Sequence, residues 1–462
     1  MNKKRSSHLF LALVASGLLS LLAACGSGGL PATGNTPSSV VNGSPTHATD
    51  LPVATQTGFS GSSTTGSTVA MPSTVTTCPP AGTGRAAVMA HLQLGSHQNV
   101  VYVNTIGTFA APSVSVLKRH DIVSGADIVI ATLPGVYVDS PQVSADGQWI
   151  LFLALSGSQD KLQLIRMDGR GLQTLYCSSQ AEALNDAQWS TDQRLVVLEH
   201  YSNNGVSKDQ ITVLNLNSGN VQTDFTSLGG VNYAPITWLD NTRIYLSHQA
   251  TDSPVDSLYL LDTSRGANQP ASNLTLVYQS MPDSKHSACW SADSNYNGST
   301  VFIAECGLPN SASHPGASAQ EGPSTIFAKP ATGGASHSIF SNGSEAIMMV
   351  RAVTRNTLLF VVDNLAFDSG VSVDTSHNGL WKINTDGSGL TQLASAGSLN
   401  RQSQFPWSNV SRDASLYSFQ GFDGKTISLE FGSLNGGATT TFASIAAGGN
   451  ADLAIVGWTT LG

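Results

Sequence analysis

The stretch Val143–Phe152, VSADGQWILF, followed by MDGRGLQTL at Met167–Leu175, constrains this chain more than any other. It reads as a turn with Asp-Gly at its tip leading into a buried strand, then a second hairpin carrying Asp-Gly-x-Gly. Degenerate copies recur as WSTDQRLVVL at Trp189, WLDNTRIYL at Trp238 and WSADSNYNGSTVFIA at Trp290, then VTRNTLLFVV at Val353, VSRDASLYSF at Val410 and WTTLG at Trp458. With the Val143 copy these are seven registers, about 46 to 63 residues apart. Self-similarity at that period is the mark of a β-propeller, in which small sheets stand around a central channel.

Each copy but the last leads into an outer hairpin with its own turn residues. Examples are LNLNSGNV (Leu214–Val221), INTDGSGLTQL (Ile383–Leu393) and FGSLNGGATT (Phe431–Thr440). Asn-x-x-Gly, Asp-Gly and Gly-Gly supply the positive φ that tight hairpins demand, so about four short strands per unit are expected. The Trp458 copy has no hairpin after it. The domain instead opens on hairpin material without a leading phrase: NVVYVN (Asn99–Asn104), SVSVLKRHDI (Ser113–Ile122) and ADIVIATL (Ala126–Leu133). An innermost strand near Ala451–Trp458 would therefore complete a blade begun at residues 99–133, a closure that leaves no free sheet edges at the ends. The fold class expected is all-β, a seven-bladed β-propeller with its N- and C-terminal strands sharing one blade. Six blades is the alternative, should the weak Val353 copy not form one.

These phrases resemble the repeats of TolB-type propellers across roughly residues 96–460, most strongly at 140–176, and the ring is WD-repeat-like in plan. The resemblance implies the fold and, with the chain's N-terminal features, a lipoprotein bearing a TolB-like domain. Lys3, Lys4 and Arg5 precede an apolar run, Leu9–Leu22, that is too short to span a bilayer stably and ends in Leu22-Ala23-Ala24-Cys25. That ending resembles the lipobox of bacterial lipoproteins. It implies a signal peptide over 1–24, cleavage before Cys25 and a diacylglycerol on its sulfur. Export to the cell envelope follows, with the protein held on a bacterial membrane outside the cytoplasm.

Residues 25–84 are Ser, Thr, Gly and Pro with almost no charge, a composition that cannot offset its ordering entropy. They read as a flexible tether of roughly 40 Å r.m.s. span. Residues 85–462 are left for the propeller. Only 11% of residues are charged and the net charge is −9, which excludes nucleic acid as a partner because no basic stripe exists to meet phosphates. A monomer is expected.

Of the five cysteines, Cys25 is assigned to the lipid. Cys289 and Cys306 flank a hairpin turning near Asn297-Gly298, a geometry that fits a cross-strand disulfide or two buried thiols. Cys78 and Cys177 show no relation in the sequence. No Cys-x-x-Cys occurs, so neither a thiolate zinc site nor a redox motif is indicated.

Propellers bind ligands around the channel with the loops that enter the innermost strands. Here those segments carry Asp139, Asn185, Asp186, Asn232, Tyr233, Asp283, His286, Gln404 and Asp452. The candidate ligand-binding set is Asp139, Asp186, Tyr233, Asp283, His286 and Asp452, a rim suited to a cation, a sugar or a basic peptide. Polar loop ends for solubility are the competing reading. His200, His248 and His286 sit near strand ends of neighbouring blades. A one-residue gap in the Trp238 copy sets His248 and His200 on opposite faces, so no metal site is expected. No cofactor is expected either. Gly387-Ser388-Gly389 lies in a hairpin, without the strand-to-helix elbow a serine nucleophile needs. The repeat position of the tryptophans at 149, 189, 238, 290 and 458 assigns them to core packing. The function expected is a non-catalytic binding or scaffold module for a protein or glycan. The alternative is a propeller enzyme, a lyase or hydrolase working at the channel mouth with or without a metal.

Overall fold

A computed structural model describes residues 76–460, apart from 88–90, 94, 158, 180–181, 203–209, 227–230, 251–255, 266–272, 280–289, 296–297, 306–318, 332, 368–369 and 400–404. Residues 1–24, read from sequence as a signal peptide, Cys25 and most of the segment read as a tether lie outside the described residues, as do Cys289 and Cys306.

The strands form seven antiparallel blades. Blade one is composite: Ala451–Thr460 is innermost, followed outward by Gln98–Thr108, Ala111–Asp121 and Asp127–Pro134. The terminal strand pairs in register from Gln98 opposite Thr460 to Ile106 opposite Ala451. Blade two runs outward through Tyr137–Val143, Trp149–Leu155, Lys161–Arg166 and Gln173–Cys177. Blade three uses Glu182–Trp189, Leu195–Ser202, Gln210–Asn215 and Val221–Thr226, and blade four Val231–Trp238, Arg243–Ala250, Asp256–Asp262 and Leu274–Gln279. Blade five comprises Trp290–Ser294, Thr300–Glu305, Ser324–Pro330 and His337–Asn342. Blade six, grown from the weak Val353 copy, is complete with Ile347–Ala352, Thr357–Val362, Gly379–Asn384 and Thr391–Ala394. Seven blades stand, not six.

Among the described residues blade seven has three regular strands, Leu416–Phe422, Thr426–Ser433 and Thr440–Ala446. Its innermost position is irregular. A 3₁₀ turn at Pro406–Ser408 stands there, tied on by single bridges from Val410 to Tyr417 and from Ser398 to Gln420. Pro406 lacks the N–H a ladder needs, which favours the turn over a strand.

The recurring phrase is legible as hydrogen bonding. Ser144 Oγ accepts from the backbone N–H groups of Gln148 (3.1 Å) and Trp149 (3.0 Å), and Asp146 accepts from Gln148 N (3.0 Å). Gly147 supplies the left-handed residue at φ 72°. In the copies without Asp-Gly the serine survives, at Ser190 and Ser411, while Gln193 (φ 60°) and Ala414 (φ 54°) take the glycine's conformation.

The same bonding corrects one register. In the fifth blade the turn acceptor is Asn295, which receives Ser299 N and Thr300 N at 2.9 Å each. The residue equivalent to Val143 is therefore Ser294, which pairs with Val301, and not Trp290, four positions upstream opposite Glu305. In blade six the equivalent is Ala352 rather than Val353, since Ala352 pairs with Leu358. Similarity of wording misled where the turn acceptor changed from Ser to Asn.

The core lies between blades. Trp149, Trp189, Trp238 and Trp458 are buried there, as their repeat position implies. Polar side chains stitch neighbouring inner strands together. Gln142 donates to the carbonyl of Ala187, Gln188 Nε2 to Pro235 O (3.1 Å), Trp238 Nε1 to Gln188 O (3.2 Å) and Ser294 Oγ to Trp238 O (3.1 Å). Asp293 accepts from Ala352 N at 2.8 Å.

Residues 76–87, read from sequence largely as tether, lie against blades two and three. Ala86 N donates to Leu216 O (2.9 Å) and Ala87 N to Gln173 Oε1 (2.6 Å). Cys78 and Cys177 form a disulfide, with Cα atoms 5.8 Å apart across a sequence separation of 99. No sequence pattern announces this pair, because the segment that carries Cys78 belongs to no repeat.

Candidate site at the channel mouth

Inner strands begin at one end of the channel and finish at the other. At the finishing end, Trp407 crosses from blade seven to blade two, where its Nε1 donates to Val143 O at 2.9 Å. It is buried, stacked on Phe405 at 4.4 Å, and covered by the Arg412 guanidinium at 4.6 Å. It passes over blade one at Gly457, where a Cβ would stand 3.0 Å from Trp407 O and 3.1 Å from Val143 Cγ2. A Cβ at 457 would press on the Trp407 backbone at a φ of 151°, a conformation that favours glycine.

The starting end carries the carboxylates. Asp139 on blade two, Asp186 on blade three and Asp452 on blade one belong to three consecutive blades, and each is half-buried. Asp139 and Asp186 flank β-bulges, between Asp139 and Gln142 and between Leu184 and Asp186. A bulge breaks the two-residue alternation and re-aims its side chains, which is how inner-strand residues turn toward a common rim. Ser140, inside the first bulge, is fully buried at φ 47°, and its N–H bonds Asp139 Oδ1 at 2.9 Å.

The charges feel one another. Enclosure pushes the Asp186 carboxyl up to about 6, and the Asp139 charge adds to the rise. Bonds from Gln188, Ser140 and Ala187 N oppose it. Burial likewise raises Asp452, again with Asp139 adding, while the hydroxyl of Tyr137 donates to Asp452 Oδ2 at 3.2 Å and opposes the rise. Tyr137 is itself held neutral, first by burial and then by the charges of Asp452 and Asp139. One end of the channel thus concentrates negative charge in a poorly solvated rim, and a cationic group placed there would relieve it.

Tyr233, on blade four at the same end, stands opposite His248, and the two rings meet edge to face at 4.7 Å. His248 and His200 prove to be equivalent. His200 lies four residues past Val196, the partner of Trp189, and His248 lies four past Ile244, the partner of Trp238. The shorter turn in blade four absorbs the gap, so both imidazoles face the preceding blade, which overturns the expectation of opposite faces. They still do not converge, because each occupies a different seam. His200 is closed in by Tyr176 (5.6 Å between centroids), Thr212 (Nε2 to Oγ1, 2.8 Å) and Glu182 (3.7 Å). Burial lowers its pKa against the pull of Glu182. Among the described residues no group of three or more His, Cys, Asp or Glu is placed to hold a metal ion.

Of the sequence candidates, Asp139, Asp186 and Asp452 gather at one rim, with Tyr233 on the next blade. Asp283 and His286 lie outside the described residues, as does Gln404. Sequence reading missed Tyr137 and Ser140. Their roles depend on the bulge and on the neighbour blade, neither of which has a local signature.

No family model matches the chain, and no curated protein does. Solved structures do. An oligogalacturonate lyase in complex with manganese is 9% identical, matched over 74% of this chain and 98% of its own, with a TM-score of 0.51. An acylaminoacyl peptidase in complex with a chloromethyl ketone is 10% identical, with a TM-score of 0.50, over 75% of this chain and 50% of its own. TolB from Acinetobacter baumannii is 13% identical over 77% and 82%, with a TM-score of 0.42. At these identities the likeness is one of fold.

Proposed function

We propose that this chain is a lipid-anchored, extracytoplasmic protein whose propeller is a non-catalytic binding or scaffold module, taking a protein or glycan ligand at the channel mouth. The observation that carries this reading is the gathering of Asp139, Asp186 and Asp452 at one end of the channel, with Trp407 bridging blades seven and two at the other. A ligand presenting an ammonium or guanidinium group complements that rim, because it offsets the cost of burying carboxylates there and the Asp139 charge that adds to it.

Calorimetry of the full chain with octalysine and with a glucosamine hexamer tests the mouth. Binding should weaken as salt rises, and should fall at least ten-fold in the Asp139→Asn/Asp186→Asn variant. No binding of either probe, or binding indifferent to the double substitution, overturns the mouth assignment. Stoichiometric metal in the purified protein, together with turnover of a polysaccharide, would replace it with the enzymatic alternative. The anchor is tested separately. Cys25→Ser should abolish labelling by an alkyne fatty acid and move the protein from membrane to soluble fractions, and retention of both refutes it.

A further inference from the structure

Tyr233, His248 and Tyr259 lie on three successive strands of blade four, at the end where the carboxylates gather. Tyr233 stands opposite His248, and Tyr259 opposite Leu246, two residues before His248. The three rings form one cluster, with centroids 4.7 Å apart for Tyr233 and His248, 5.5 Å for His248 and Tyr259, and 6.1 Å for the two tyrosines. All three are half-buried.

Strand alternation fixes which way they face. Ile244 and Leu246, four and two residues before His248, pack with Val197, Ile211 and Val213 of blade three, as does Leu261, two after Tyr259. The rings therefore continue the seam between blades three and four, where its apolar packing stops short of the rim. Across the seam, Glu199 shares the face of Val197; it is 6% exposed and accepts from Asn185 Nδ2 at 3.0 Å. His248 Nδ1 is buried and has no hydrogen-bond partner among the described residues. A buried imidazole nitrogen without a partner is costly unless something else supplies one. In blade three the Nδ1 of the equivalent His200 is likewise without a hydrogen bond, but that ring is closed over by Tyr176, Thr212 and Glu182. In blade four that cover is replaced by rings left half open.

We infer that the Tyr233–His248–Tyr259 cluster is a stacking subsite for one pyranose ring of a neutral or amino-bearing glycan. The carbon-bound hydrogens of a sugar face pack on tyrosine rings, and its hydroxyls are donors and acceptors that reach an imidazole nitrogen and a carboxylate. The negative rim beside it, with Asp186 on the neighbouring blade, discriminates against uronic acids. This inference rests on the reading of the propeller as a binding module, and it selects glycan over protein as the ligand.

The test uses sugars without charge, so that the carboxylates are not what is measured. Cellohexaose and an N-acetylglucosamine hexamer are titrated into the full chain, followed by calorimetry and by perturbation of tyrosine ring signals. At least one should bind, and Tyr259→Ala and Tyr233→Ala should each weaken it ten-fold or more. Tyr259→Phe, which keeps the ring, should bind within two-fold of the parent. A polygalacturonate hexamer should bind at least ten-fold more weakly than the neutral sugars. Thermal melts of the variants report folding, and octalysine titration reports the mouth. If octalysine binds while neither neutral sugar does, or if the alanine variants keep full sugar affinity, the subsite is refuted and the binding reading stands. If nothing binds the folded chain, both fall.

Discussion

The seam that closes the ring and the mouth at the other end of the channel are built from the same strands but treat polar groups in opposite ways. At the seam, Arg412 donates to Ser144 O (2.7 Å), Ala145 O (2.5 Å) and Trp458 O (3.0 Å), joining blades seven, two and one through a single guanidinium. Thr459 Oγ1 bonds Gly147 O at 2.7 Å, and Trp458 Nε1 bonds Ser418 Oγ at 2.9 Å. At the mouth, burial and then the Asp139 charge raise the pKa of Asp186 and Asp452, and a buried imidazole nitrogen lacks a partner among the described residues. A fold spends stability where it must recognise something and recovers it where it need only hold together.

The largest expected effect lies at the seam. Arg412→Ala removes three charge-assisted bonds and the contact with Trp407, and should lower unfolding free energy by about 3 kcal/mol in urea titration. A loss below about 1 kcal/mol would mean that closure rests on strand pairing alone. Gly457→Ala comes next. Its Cβ would press on Trp407 O and Val143 Cγ2 at a φ of 151°, so a loss of about 2 kcal/mol is expected, with the emission of Trp407 altered.

Asp186→Asn should act in the other direction. The folded pKa of Asp186, about 6, is raised from 3.8, so the fold favours the protonated form. The stability tied to that proton is complete below about pH 4 and lost as pH rises through 6. The neutral amide should therefore stabilise the protein by about 1 kcal/mol at pH 7.5 and by nothing measurable at pH 4. If the two melting curves run parallel across that range, the mouth is not the strained region described here. The smallest effect returns to the seam. Ala414→Gly relieves a left-handed alanine in the turn after Arg412 and, less the entropy glycine costs, should add about 0.5 kcal/mol without moving the pH profile.

Much of the ring was legible because its signals are local. Asp146-Gly147 and the serine before it encode a turn within five residues, and a strand of VVYVN type encodes its own burial. The composite blade followed from counting which phrase lacked hairpins and which hairpins lacked a phrase. Where the turn's acceptor changed from Ser to Asn the register was misread by four residues. Where a turn shortened by one, His248 was assigned to the wrong face. Both errors come from spacing, which a loop can absorb without moving the strands it joins. The rim residues Asp139, Asp186 and Asp452 were found because loops into inner strands can be located from the repeat.

The sequence by itself determined the period, the closure by the last strand and the net charge. All of these are properties of composition and near-neighbour spacing. Only the tertiary structure decided that seven blades stand rather than six, that Cys78 meets Cys177, that the Trp407 backbone lies against Gly457, and that Asp139 and Asp186, at two bulges, join Asp452 at one rim. The last three depend on separate segments of the chain meeting at distances that no repeat period encodes.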